Sequence, residues 1–185
     1  MISIKNNKWI LAGLFCTTFQ ITANAQTYVG RNIKVSIFSS TPVEDIKAAS
    51  NVGTAVLVKQ EIAVQVAIKS LDFDKKLMQE HFNENYMESD KYPSSIFRGK
   101  ITDDVDLSKD GSYAVNVDGT LDIHGVTKAY QSKATIVVAK GVITARTTIR
   151  VKIEDHQIKV PSIVFKNIAE FVDVRISATY QPKKS

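Results

Sequence analysis

The chain has 185 residues, with 24 Lys and Arg against 19 Asp and Glu for a net charge of +5, a single cysteine and 8% aromatics. Its length suits one domain with a sizeable core. One cysteine excludes a disulfide framework and a multi-thiolate metal site. Lysines interspersed with acids exclude nucleic acid as the meaning of the pI near 9.2.

Residues 1–25 read as a secretory leader. Lys5 and Lys8 give a positive start, Ile10 to Phe15 an apolar core, and Ala23-Asn24-Ala25 an A-x-A cleavage site. Cutting after Ala25 makes Gln26 the first residue and removes Cys16. Removing Lys5 and Lys8 as well leaves a net charge of +3. The apolar run is too short to span a bilayer and is broken by Thr17, Thr18 and Gln20. Bulky Phe15 before Cys16 argues against lipid attachment there. The expected location of 26–185, read as one domain, is therefore periplasmic or secreted.

Strands dominate that domain. Arg31 to Phe38 is the first, with Ile33, Val35 and Ile37 on one face, and Ser39-Ser40-Thr41-Pro42 breaks it. Val43 to Asn51 fits a strand or a short helical turn. Gly53 to Lys59 and Glu61 to Ser70 come next as strands, the second alternating through Ile62, Val64, Val66 and Ile68. A helix is expected over about residues 74–87. Asp74 suits its N-cap, Phe73 and Met78 stand at staple positions, and Leu77, Met78, His81, Phe82 and Tyr86 repeat at helical spacing. Tyr92-Pro93 closes that segment.

A meander completes the chain. Ser95 to Val105 reads as a strand, and Asp110-Gly111 as a tight turn. In Ser112 to His124, Tyr113, Val115, Val117, Gly119, Leu121 and Ile123 share one parity, and Asn116, Asp118, Thr120, Asp122 and His124 the other. Successive strand side chains point to opposite faces, so this ribbon has one oily and one wet side. Gly125 to Lys128 turns into Tyr130 to Ala139, and Lys140-Gly141 reverses into Val142 to Glu154. Asp155-His156-Gln157 turns again, Pro161 interrupts, and Val172 to Tyr180 is the last strand. So many one-sided strands with so little helix must cover each other. The expected fold is all-β, an antiparallel up-and-down barrel of about eight strands with one helix. Alternation alone leaves open whether its interior is filled or hollow.

Three stretches carry a resemblance. Ser89-Asp90-Lys91-Tyr92-Pro93 with Phe97, Leu121-Asp122-Ile123-His124-Gly125-Val126-Thr127-Lys128, and the helix around Glu80-His81-Phe82 resemble the bacterial YceI-like lipid/polyisoprenoid-binding proteins, over roughly Gln26 to Gln181. The opening Ile33 to Asp45 lacks the tryptophan and V-x-H strand of the better-known members and marks a divergent subgroup. The resemblance implies a lipocalin-like barrel with an apolar cavity for an isoprenoid or another long-chain lipid, and no cofactor. Its expected lining is Ile37, Val64, Val66, Ile68, Phe73, Leu77, Met78, Phe82, Phe97, Val117, Leu121, Ile123, Ile149, Val151 and Ile176, with the helix as a cover over the mouth. Transient contact with a membrane surface fits this role. Oligomeric state is not legible.

Other chemistry is thinner. His124, at the junction of strand and turn, reads as a turn residue bonded to the backbone. An enzyme acting through Asp122 and His124 is the alternative, although no G-x-S-x-G pattern surrounds any serine. His81, His124 and His156 lack ligand spacing, so no metal is expected. Arg146, Arg150 and Lys152 share a polar face that is either solvated or a clamp for a pyrophosphate head. An outer-membrane barrel also alternates, but the tail Gln181 to Ser185 lacks a terminal aromatic strand and aromatic girdles are missing.

Overall fold

The structure, a computed structural model, describes residues 26–41, 45–159 and 169–183. The expected leader with Cys16, the breaks at Pro42 and Pro161, and Lys184 lie outside those residues. Nine strands are described: β1 (Thr27–Ser40), β2 (Asp45–Val58), β3 (Glu61–Ala67), β4 (Asp72–Phe73), β5 (Ser94–Ile101), β6 (Gly111–Ile123), β7 (Val126–Ala139), β8 (Val142–Lys152) and β9 (Phe171–Pro182). All pairings are antiparallel, and each long strand lies beside its sequence neighbours. β1 also pairs with β9, so eight strands close into an up-and-down barrel and β4 is a two-residue addition to β2. Closure removes the free edges that an open sheet would expose.

The predicted alternation sets the inside. Val115, Val117 and Leu121 of β6, Ala134, Ile136 and Val138 of β7, Ile143, Ile149 and Val151 of β8, and Ile176, Ala178 and Tyr180 of β9 form one buried cluster with residues of β1, β2, β3 and β5. Their strand neighbours Asn116, Asp118, Arg146, Arg150 and Arg175 lie on the other side of the wall, where all five are exposed. An outer-membrane barrel needs the opposite polarity, an apolar exterior facing lipid. That alternative is corrected.

Several boundaries differ from expectation. β2 takes in Asp45 to Asn51 as strand, because β1 and β4 flank it with hydrogen-bonding partners. β3 stops at Ala67, where Ile68–Ser70 makes a 3-10 turn. β5 ends at Ile101 rather than Val105. Beyond it the Asp106 carboxylate caps its own turn, accepting from Ser108 N at 3.1 Å and Ser108 Oγ at 2.6 Å, which holds its pKa down at about 2. β8 gives way to a 3-10 turn at Ile153–His156.

The helix is shorter than expected. α1 spans Lys76–His81 and widens into a π turn at Phe82–Tyr86. Lys75, not Asp74, holds the N-cap position, because pairing of Asp72 and Phe73 with β2 keeps the chain extended until then. The staple pair does meet: Met78 and Phe82 pack with Phe73, Leu71, Ala48, Ile37 and Ile46 in a second cluster.

The two ends of the barrel differ. One carries the Lys59-Gln60 and Lys140-Gly141 turns, and there Ile101 and Ile143 are 0% exposed and Tyr180 only 2%. Burial pushes the Tyr180 phenol up to about 12. A phenol in the unfolded chain ionises near 10, so the native state keeps its proton longer. Stability is then full below about pH 10 and falls between about pH 10 and 12. Tyr180→Phe is expected to abolish this alkaline loss, roughly 2–3 kcal/mol by pH 12, measured by urea unfolding near neutral pH and near pH 11.

Candidate functional site

At the other end lie the connection between β3 and β5 and the 3-10 turn Ile153–His156 that follows β8, and the barrel wall splits there twice. β2 and β3 pair only over Thr54–Val58 and Glu61–Gln65. Above that level β4 takes the place beside β2 at Ala48 and Ala49, and Met78 of α1 packs against the cluster of Ala48, Leu71 and Phe73. β7 and β8 pair only over Ala134–Ala139 and Val142–Thr147, although β6 accompanies β7 along its whole length. The second gap receives the 3-10 turn carrying His156.

His156 is 0% exposed. Its Nδ1 lies 2.9 Å from the Val126 carbonyl oxygen and its Nε2 2.9 Å from the Tyr130 hydroxyl. The carbonyl can only accept, so Nδ1 donates to it and Nε2 receives the Tyr130 proton. The two rings stack, 5.8 Å apart and 4° from parallel. Burial, then the Asp155 carboxylate, hold the Tyr130 phenol above its usual range and keep it a donor.

A second histidine joins this knot. His124 and Gly125 form the two-residue turn between β6 and β7, tighter than the expected Gly125 to Lys128, with φ of +53° and +72°. Positive φ at both residues suits a hairpin of this length. His124 Nε2 is 2.7 Å from Glu88 Oε2, its Nδ1 is 3.3 Å from the His156 carbonyl oxygen, and the Tyr92 ring meets it edge-on at 4.6 Å. A Cβ on Gly125 would collide with the Tyr92 ring. The K-Y-P and H-G-V-T-K stretches therefore form one contact, tying the helical connection to the β6–β7 turn and the β8–β9 connection.

This corrects the pairing of Asp122 with His124. Asp122 does not orient His124, because its carboxylate accepts from Thr127 Oγ1 at 2.8 Å while His124 turns to Glu88. His124 does bond the backbone as expected, but its main partner is a carboxylate. The head-group clamp is corrected too: Arg146 and Arg150 face outward, and Lys152 lies 3.2 Å from both Glu154 and Glu170. Among the described residues no His, Cys, Asp and Glu group could hold a metal ion.

The expected lining residues fall into two sets. Val64, Val66, Phe97, Val117, Leu121, Ile149, Val151 and Ile176 belong to the main cluster, with Ile123 packed against it. Ile37, Phe73, Met78 and Phe82 belong to the cluster under α1. Ile68 is buried in its 3-10 turn. Leu77 is 63% exposed; its position on α1 turns it away from the cluster under that helix, so it lies outside the lining.

Two observations bear on the interior itself. Small side chains meet across β7, β8 and β9, with Ala134 paired to Thr147 and Ala145 to Ala178. Ser132, Ala145 and Thr147 face inward at mid-strand, yet each is only half-buried. A lumen packed solid would cover them, since protein interiors are close-packed. The buried Oγ atoms of Ser39 and Ser132 have no protein partner.

Sequence reasoning missed Glu88, Tyr130 and His156. Only Tyr130 left a signal, its inward parity with Ser132 and Ala134. The other two reach the knot across more than thirty residues of chain.

Solved structures share this architecture. A polyisoprenoid-binding domain from Saccharophagus degradans implicated in plant cell wall breakdown superposes with a TM-score of 0.72 at 15% identity, covering 86% of this chain and 100% of that one. BcnA of Burkholderia cenocepacia gives 0.68 at 17%, covering 80% and 95%. A YCEI protein of Campylobacter jejuni gives 0.55 at 18%, covering 98% and 100%. At such identities the likeness concerns the fold alone. Among curated proteins none matches the chain by sequence. The model of the YceI-like domain matches residues 17–180, and with the closed barrel and the joined motif stretches it shows that the chain belongs to the YceI-like family.

Proposed function

We propose that the protein is a soluble periplasmic binding protein that holds an isoprenoid or similar long apolar chain in its barrel, without catalysing a reaction on it. The half-buried, inward-facing Ser132, Ala145 and Thr147 at mid-strand carry this reading, because they mark unfilled space inside an otherwise apolar lining. The polyisoprenoid-binding domain among the structural neighbours supports the ligand class. The leader expected over 1–25 supports the location.

The ligand's length follows from energetics. Burying a CH2-sized group is worth roughly 0.8 kcal/mol, so a five-carbon unit gives about 4 kcal/mol gross. Ordering the chain takes back much of that, while micromolar affinity needs about 8 kcal/mol net. Several units are needed, which suits a long barrel.

Native mass spectrometry of protein taken directly from the cell envelope tests this. The expected result is a bound apolar mass on the natural chain, and its loss in Ala134→Trp, whose indole fills the small-residue pocket. That variant should unfold at nearly the same urea concentration, since overpacking a truly full core costs about 1–3 kcal/mol. A lipid-free natural protein, or undiminished loading of the variant, would count against the proposal.

A further inference from the structure

Three successive rows of outward side chains cross β8, β9 and β1. By register they are Arg150, Asp173 and Phe38; Thr148, Arg175 and Ser36; and Arg146, Ser177 and Lys34. Lys47 of β2 extends the first row beside Phe38. This face holds five cations. Its acids are Asp173 and, at the edge, Asp45, which lies 3.4 Å from Lys47. Hydroxyls fill the spaces between. The outer face of β5 and β6 is unlike it: there Lys100 stands opposite Asp118, and Arg98 lies two residues from it, between Asp118 and Asp122 in register. Mixed charge of that kind keeps a surface solvated; the cationic excess on β8, β9 and β1 does not follow from solubility.

Two exposed or half-exposed aromatic rings edge the cationic face on the side of the barrel mouth. Phe38 lies between Lys47, at 5.7 Å, and Arg175, at 5.3 Å, while Arg150 sits 4.6 Å over Phe171. Cations able to reach phosphates, beside rings able to sit at headgroup level, are what an anionic bilayer surface recognises. Arginine adds paired donors for phosphate oxygens.

We infer that the outer face of β8, β9 and β1, with Arg146, Arg150, Arg175, Lys34 and Phe38, is a docking surface for anionic phospholipid headgroups. This deepens the proposed function and rests on it, since a carrier of membrane-soluble chains must meet a bilayer to load and unload. Charge complementarity selects the occupant: the patch is cationic and edged by two aromatic rings.

Flotation of lipid-free protein with phosphatidylcholine vesicles, with and without phosphatidylglycerol, tests the surface apart from the cargo. Binding is expected only with phosphatidylglycerol and should weaken as salt rises. Charge reversal at Arg146, Arg150 and Arg175 should reduce it about tenfold or more, whereas Lys100→Glu on the opposite wall should leave it unchanged. Should the triple reversal fail to fold, single Arg→Gln changes and the salt titration give the same readout in smaller steps. Equal binding to neutral vesicles, unchanged binding by the reversed variants, or binding to DNA or heparin in place of vesicles overturns the inference. A protein that docks but never carries lipid would instead overturn the carrier reading and leave the docking face standing.

Discussion

Replacing His156 by alanine is expected to lower the unfolding free energy by about 4–5 kcal/mol, read as a shift of the urea midpoint at constant slope. The ring is fully buried and both nitrogens are bonded, to Val126 and Tyr130. Removing it leaves a void in the gap between β7 and β8 and two polar groups without partners. The loss should also reach His124, whose Nδ1 bonds the carbonyl of the same residue. Tyr130→Phe removes only the bond to Nε2 and should cost about 1–2 kcal/mol. If the two residues act through that bond, the double variant should be no less stable than His156→Ala alone by more than a few tenths of a kcal/mol. Full additivity, or a loss for His156→Ala below about 1 kcal/mol, would show that the histidine merely fills space.

Gly119→Val is expected to cost about 3–4 kcal/mol. Gly119 pairs with Gly99 across β5 and β6, and a Cβ there would overlap the Arg98 carbonyl oxygen and come within 2.7 Å of Gly99 Cα and 2.8 Å of Phe97 Cζ. The first two are backbone and cannot swing aside. The Phe97 ring lies over both glycines, taking the place their side chains would occupy and leaning along the wall. Even Gly119→Ala should therefore fail to gain the usual benefit of replacing a flexible residue. A Gly119→Val stability within about 0.5 kcal/mol of the natural chain, or a clear gain in Gly119→Ala, would remove this account of the glycine pair.

The all-β class, the number of long strands and most of the inward residues were legible in the residues themselves. Strand periodicity is local: Val115, Val117 and Leu121 announce a buried face without knowledge of any partner. Where local chemistry competed with pairing, the reading slipped. Asp74 had the side chain of a cap, but β2 held the chain extended past Phe73. Asp106 helped end a strand expected to continue, because its carboxylate bonds within its own turn more readily than the backbone finds a partner. Leu77 kept helical spacing with Met78 and Phe82, yet so short a helix has a narrow covered stripe and left it outside.

Two-faced strands, the two-residue hairpin at His124-Gly125 and the polarity of the tube need only near neighbours, and the linear order of side chains dictated them. Folding in three dimensions decided which carboxylate meets His124, how His156 came to seal a gap in the wall, and where the arginines of β8 and β9 align with Lys34 of β1. Such contacts join segments many residues apart, and their geometry depends on how the sheet closes, which no local pattern encodes.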